Sequence, residues 1–237
     1  RRRRRWDFAG RTVVLVDEDA GDLEPESARP AGDEGAAVAL LARDAQELEL
    51  AAASLRERGG VATTHVCDVR ERAQVDAAIA EVAADAGRID AMFNVAGVIQ
   101  VGPLAEMDAD DFREAMDVHF WGPLHAMRAV APHMERAGGG RIVNVSSIGG
   151  KVAVPHLAPY TASKFALTGL SDALRAELAP AGIRVTTVVP GLMRTGSQAH
   201  VDFRGRERSE DAWFTSLGVL PLLSTDSARA ARRIVEA

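Results

Sequence analysis

Six short apolar runs recur along the chain: Thr12–Val16, Gly35–Ala42, Val61–Val66, Ile89–Phe93, Arg141–Val145 and Ile183–Val189. Between them lie segments with helical spacing. Val75, Ile79 and Val82 form one stripe within 71–86, and Phe165, Leu167, Leu170, Leu174 and Leu178 form another before Pro180. Asp44 with Glu47 opens a third segment as a capping box, and Asp108 opens a long one reaching Arg136. Strands alternating with helices predict an α/β fold: a doubly wound parallel sheet with right-handed crossovers and strand order 3-2-1-4-5-6. The length of 237 residues suits a single domain over 8–237. Residues 1–7, opened by Arg1–Arg5, read as a disordered basic terminus.

Composition narrows the function. The net charge is −6 with no basic half, which argues against nucleic acid as a partner. Cys67 is the only cysteine, so no intramolecular disulfide forms and a reducing cytoplasm fits. No apolar run reaches the ~18 residues that span a bilayer. The six histidines show no metal-ligand spacing.

The chemistry concentrates between Ser147 and Lys164. Tyr160 and Lys164 are four apart and share one helix face. A phenol titrates near ~10, and a nearby ammonium is expected to lower that value toward a useful acid or base. Ser147 lies thirteen residues before Tyr160, just past the run Ile142–Val145, where a buried strand ends. A hydroxyl there can bond a substrate oxygen while Tyr160 exchanges a proton with it.

This constellation resembles the short-chain dehydrogenase/reductase family, and the resemblance covers about 8–16 and 35–237. It implies a Rossmann-type fold and hydride transfer between NAD(P) and a carbonyl or secondary alcohol. Ser147, Tyr160 and Lys164 would be catalytic, with Tyr160 and Lys164 also touching the cofactor. His119 stands where the family has an asparagine that holds a relay water; an imidazole can also relay protons, or it can simply pack. Asn94-Val95-Ala96-Gly97 departs at one position from the family's Asn-Asn-Ala-Gly, and Asn94, Ala96 and Gly97 would pass close to the cofactor. Asp68 and Val69 would touch adenine, although Asp68 with Glu71 equally makes a capping box. Pro190-Gly191 and Thr195 would sit near the nicotinamide. Arg43 follows the second strand, where an arginine accommodates the 2′-phosphate of NADP, so NADP is favoured over NAD. Residues 192–223, with Met193, Phe203, Trp213 and Phe214, would cover a small, apolar carbonyl or alcohol substrate. The seventh strand that the family carries is missing, which suggests truncation within an apparent helix Thr225–Glu236. A homo-oligomer is compatible with the family.

One segment breaks the resemblance. After the first strand the family has a glycine-rich turn opening a helix, whose glycines admit the cofactor's pyrophosphate. Here residues 17–34 hold eight carboxylates, one arginine and only two glycines, Gly21 and Gly32, at the wrong spacing. The length is right and the composition foreign, as paired frame changes in the coding sequence would produce. A second reading of the chain is therefore a degenerate, non-catalytic binding protein with impaired cofactor binding. A third, an extended epimerase or dehydratase, is disfavoured by the short chain.

Overall fold

A computed structural model of the chain describes residues 6–18, 30–194, 201–205 and 224–226, with backbone alone at 192–194 and 224–226. The strands are β1 (Thr12–Val16), β2 (Ala37–Ala42), β3 (Val61–Val66), β4 (Ala91–Asn94), β5 (Ile99–Val101), β6 (Gly140–Val145) and β7 (Ile183–Val188). All but β5 join one parallel sheet in the order β3-β2-β1-β4-β6-β7. This is the expected doubly wound order. The helices are α1 (Ala45–Glu57), α2 (Arg72–Ala86), α3 (Ala109–Met116), α4 (Gly122–Arg136) and α5 (Ala158–Glu177).

Side-chain alternation along the strands builds two cores. Val13, Leu15, Val38 and Leu40 point to one face, where Leu48, Ala52 and Leu55 of α1 cover them. Val14, Val16, Ala39, Leu41 and Met92 point to the other, under Val75, Ile79 and Val82 of α2 and Met127, Val130 and Met134 of α4. Burying a Val or Leu side chain contributes about 1.5–3 kcal/mol. A one-residue slip in register would trade the two faces, so the pairing Val14↔Ala39 and Val14↔Met92 is strongly specified.

Several boundaries differ from expectation for local reasons. The second strand starts at Ala37, because Gly35 turns at φ +86°. Asp44 caps α1 by accepting from the amides of Gln46 and Glu47 at 2.8 and 2.9 Å. The Asp68–Glu71 capping box does not form: the Asp68 carboxylate takes the Arg70 guanidinium and amide instead, and Glu71 caps α2 without a side-chain bond. The long helix expected over 108–136 is interrupted. A π-turn, Asp117–Trp121, separates α3 from α4. Pro123 lacks the N–H that would continue an α ladder, and the Gly122 amide reaches back to the Asp117 carbonyl.

Part of the expected covering segment is described. β8 (Leu192–Arg194) pairs with β10 (Ser224–Asp226), so Thr225 and Asp226 are extended, where a helix was expected. β9 (Val201–Phe203) pairs with β5. Arg204 anchors it, donating to Asp111 Oδ1 from Nε and Nη2 at 3.0 and 2.9 Å. Thr195, Trp213, Phe214 and most of the acidic 17–34 segment lie outside the described residues, as do Arg1–Arg5 and the chain end. Among the described residues, no helix is long and apolar enough to cross a membrane.

Candidate functional site

The carboxyl ends of β1, β4, β6 and β7 share one edge of the sheet, and the predicted residues gather there. β6 ends at Val145, and Ser147 follows in extended conformation before a short 3-10 turn, Ile148–Gly150. The Ile148 amide donates to the Pro190 carbonyl at 2.8 Å, which ties this turn to the exit of β7. The Gly149 amide donates to Ser147 Oγ at 3.1 Å. Ser147 in turn hydrogen-bonds the phenol of Tyr160. A Ser147 hydrogen turned toward the Tyr160 oxygen favours the phenolate, and this bond pulls the phenol's pKa downward. A Cβ at Gly149 would lie 3.0 Å from the Tyr160 ring, tighter than such contacts ordinarily are.

Lys164, one turn along α5, is 4 % exposed and donates from Nζ to the Val145 carbonyl at 3.1 Å. Its ammonium lies 5.7 Å from the Tyr160 ring centroid. Burial lowers the Lys164 pKa from 10.5 to about 8, against the opposing pull of the Asp17 carboxylate. The expected depression of the phenol is not found. Burial raises the Tyr160 pKa, the Ser147 bond offsets only part of that rise, and Lys164 spends a hydrogen bond on backbone.

His119 resolves into a structural link. It is fully buried on the π-turn. Its Nε2 accepts from the Val98 amide at 3.1 Å, so Nδ1 carries the proton and donates to Ser163 Oγ at 2.7 Å. Ser163 Oγ then donates to the Tyr160 carbonyl at 2.9 Å. Burial, then the Lys164 charge, hold the imidazole well below its ordinary pKa. A neutral ring with both nitrogens engaged fixes the tautomer and pins α5 to the loop after β4. Its protein partners are thus the Val98 amide and Ser163 Oγ.

The other predicted cofactor contacts divide. Gly97 lies beside the Lys164 ammonium: a Cβ there would meet His119 Nε2 at 3.3 Å and Lys164 Nζ at 3.8 Å. The Ala96 amide donates to the Val16 carbonyl at 3.1 Å, holding this turn against β1. Asn94 faces the core. Its Nδ2 donates to Asn144 Oδ1 at 2.7 Å, and Asn144 donates to Ser171 Oγ at 2.8 Å, so Asn94 joins β4 to β6. Val69 is 1 % exposed and packs on Gly122. Asp68 is taken by Arg70. Arg43 pairs with Glu18 at 3.3 Å. Pro190 serves through its carbonyl, and Gly191 is exposed beside it. Sequence reasoning missed Ser163, Gly149 and Asn144; only Ser163, inside the Tyr160–Lys164 motif, gave a local signal.

The dinucleotide that the resemblance implies fits this edge unevenly. Around Tyr160 and Lys164 it fits: the cradle at Gly97 would be filled by any side chain, and Nζ makes one bond where an ammonium has three donors. At the end of β1 the match is poor. Asp17 and Glu18 are 1 % and 2 % exposed, where a doubly wound sheet receives the phosphates, and they oppose an anion. Among the described residues no cluster of His, Cys, Asp and Glu is suited to a metal.

Comparison with known proteins agrees with this fold. Residues 13–203 match the family described as short chain dehydrogenase. A putative ketoacyl reductase of Streptomyces coelicolor is 36% identical over 206 residues, covering 86% of this chain and 77% of that protein. The crystal structure of a gluconate 5-dehydrogenase from Burkholderia cenocepacia, in complex with NADP and tartrate, superposes with a TM-score of 0.83 at 30% identity, covering 97% of this chain and 89% of the other. That of NAD+-bound xylitol dehydrogenase gives 0.78 at 31% identity, covering 97% and 85%. A matched sequence over most of the chain, the same sheet and a serine–tyrosine–lysine edge lead to one conclusion: this protein belongs to the short-chain dehydrogenase family.

Proposed function

We propose that the chain is an NAD(P)-dependent oxidoreductase that interconverts a small carbonyl compound and its secondary alcohol, with Tyr160 as the acid–base group. The observation that carries this is Ser147, bonded to both the Gly149 amide and the Tyr160 phenol, set beside a buried lysine at the sheet's carboxyl edge. The cofactor, when bound, supplies or accepts the hydride. Ser147 donates toward the phenol oxygen, which leaves the Tyr160 hydrogen to pass to a substrate carbonyl oxygen. In the oxidative direction Tyr160 takes that proton back. Lys164 would hold the nicotinamide ribose with the donors that Val145 leaves unused, and its charge stabilises negative charge on the phenol as the proton leaves. Arg43 favours NADP through the 2′-phosphate, and relatives bound to NADP and to NAD+ support both dinucleotides as candidates. The 192–223 segment, anchored by Arg204, would close over the substrate.

Tyr160→Phe tests the assignment. Oxidation of NADPH in the presence of a panel of apolar ketones should fall by about 10²–10⁴-fold, the usual contribution of a positioned acid. The melting temperature should stay near that of the parent. Turnover retained by the variant would refute the role. The buried Asp17 and Glu18 favour a second reading, a non-catalytic relative; saturable NADPH binding at micromolar concentration speaks for the enzyme, and none at millimolar for the binding protein.

A further inference from the structure

The opposite rim of the sheet carries a charge cluster that this chemistry does not use. There, beside the amino ends of β1, β4, β6 and β7, lies a cavity of about 300 Å³. Four of its lining residues are arginines, Arg11, Arg88, Arg141 and Arg184, and one is an acid, Asp90. Asp90 is already saturated. Its Oδ1 accepts from Arg11 Nη1 at 2.9 Å and from Arg88 Nη2, and its Oδ2 accepts from the Thr12 amide and Arg88 Nε, each at 3.0 Å. Four positive charges less one negative leave three unbalanced, in a chain whose net charge is −6.

Arg141 and Arg184 hold most of that excess. They are register partners on the parallel strands β6 and β7, so both side chains leave the same face of the sheet side by side. Like charges placed directly across a strand pair are destabilising. Burial, then the neighbouring Arg184 charge, lower the Arg141 pKa. Among the described residues neither has a carboxylate partner; Arg141 lies over the Trp6 ring, 4.9 Å from its centroid. The loops at this rim add no bulk: Gly139 approaches Gly182 so closely that a Cβ would lie 2.6 Å from the Gly182 carbonyl oxygen.

We propose that this rim is a binding site for a small polyvalent phosphate, clamped by the forked guanidiniums of Arg141 and Arg184 in the field of Arg11 and Arg88. Guanidinium forks match phosphoryl oxygens in geometry and charge. A cavity at the lower end of the ~300–1,000 Å³ range of ligand pockets suits a pyrophosphate or a phosphorylated small molecule better than a dinucleotide. The site is separate from the Tyr160 edge and does not depend on the reading given to that edge.

Inorganic pyrophosphate is the probe, titrated calorimetrically at constant ionic strength. Saturable binding is expected, weakened about tenfold or more by Arg141→Gln or Arg184→Gln. Arg113→Gln, an exposed arginine of α3 paired with Asp110, should leave it unchanged. Melting gives an independent test. In chloride buffer Arg184→Gln should melt above the parent, because a like-charge pair is relieved, and pyrophosphate should reverse that order by stabilising only the parent. Binding equal in parent and both variants, or reduced as much by Arg113→Gln, would overturn the site. So would an Arg184→Gln protein that melts lower with and without pyrophosphate. Citrate binding as tightly as pyrophosphate would overturn the assignment to phosphate.

Discussion

Lys164→Met removes a charge from a site 4 % exposed while keeping most of the side chain's apolar stem. The folded protein lowers the lysine pKa from 10.5 to about 8, chiefly by burial. At 1.36 kcal/mol for each tenfold change, holding the charged amine there costs about 3 kcal/mol at pH 7. The variant also loses the 3.1 Å bond from Nζ to Val145, worth about 1 kcal/mol. Lys164→Met should therefore be about 2 kcal/mol more stable at pH 7, a rise in melting temperature of about 4–8 °C for a chain of this size. The pH dependence is the sharper signature. Below about 8 both folded and unfolded parent carry the proton, and the penalty is present in full. Between about 8 and 10.5 the unfolded chain binds more protons than the folded one, so the parent gains stability as pH rises and the variant does not. Urea unfolding of cofactor-free protein, followed by tryptophan fluorescence at neutral and alkaline pH, measures both terms. A variant less stable than the parent at pH 7, or a gap that ignores pH, would refute this reasoning. Turnover should be lost in the same variant.

Tyr160 is the only tyrosine in the chain, so the near-ultraviolet absorbance of phenolate reports it alone. In the cofactor-free folded protein it should ionise above 10, because burial outweighs the Ser147 bond; ionisation below 10 would show that Lys164 dominates after all. Glu18→Gln removes one buried carboxylate from the end of β1 and releases Arg43. Removing about 1 kcal/mol of charge repulsion should tighten NADPH about fivefold, and NADH less, since only NADPH offers a 2′-phosphate to Arg43. Equal gains for the two cofactors in equilibrium titrations would remove Arg43 from the argument.

The strands were legible because burial on both faces writes a continuous apolar run, and the sheet order follows from chirality once the runs alternate with helices. Tyr160 and Lys164 were legible because helical spacing alone puts them on one face. What escaped depends on partners far away in sequence. The break between α3 and α4 needs Gly122 packed against Val69 as well as Pro123, and only the proline is visible locally. His119 had two readings because an imidazole on a helix looks the same in both. Its bonding partners, Val98 and Ser163, lie 21 and 44 positions away. Asn94 looked like a cofactor residue because it ends a strand, yet Asn144, 50 positions on, turns it inward. Electrostatics were the least legible. Proximity of Lys164 predicted an acidic phenol, but spacing says nothing about water, and exclusion of water moves both groups toward their neutral forms. The same logic bears on the acidic start of the 17–34 segment. A carboxylate pair in solution would simply be solvated there, whereas buried at the end of β1 Asp17 acts on Lys164 and Glu18 pairs with Arg43. Glu18 thus engages the arginine that a 2′-phosphate would need, and Asp17 adds negative charge that acts on Lys164. Both carboxylates oppose an anion at the end of β1, so cofactor affinity is the property that Glu18→Gln should move most.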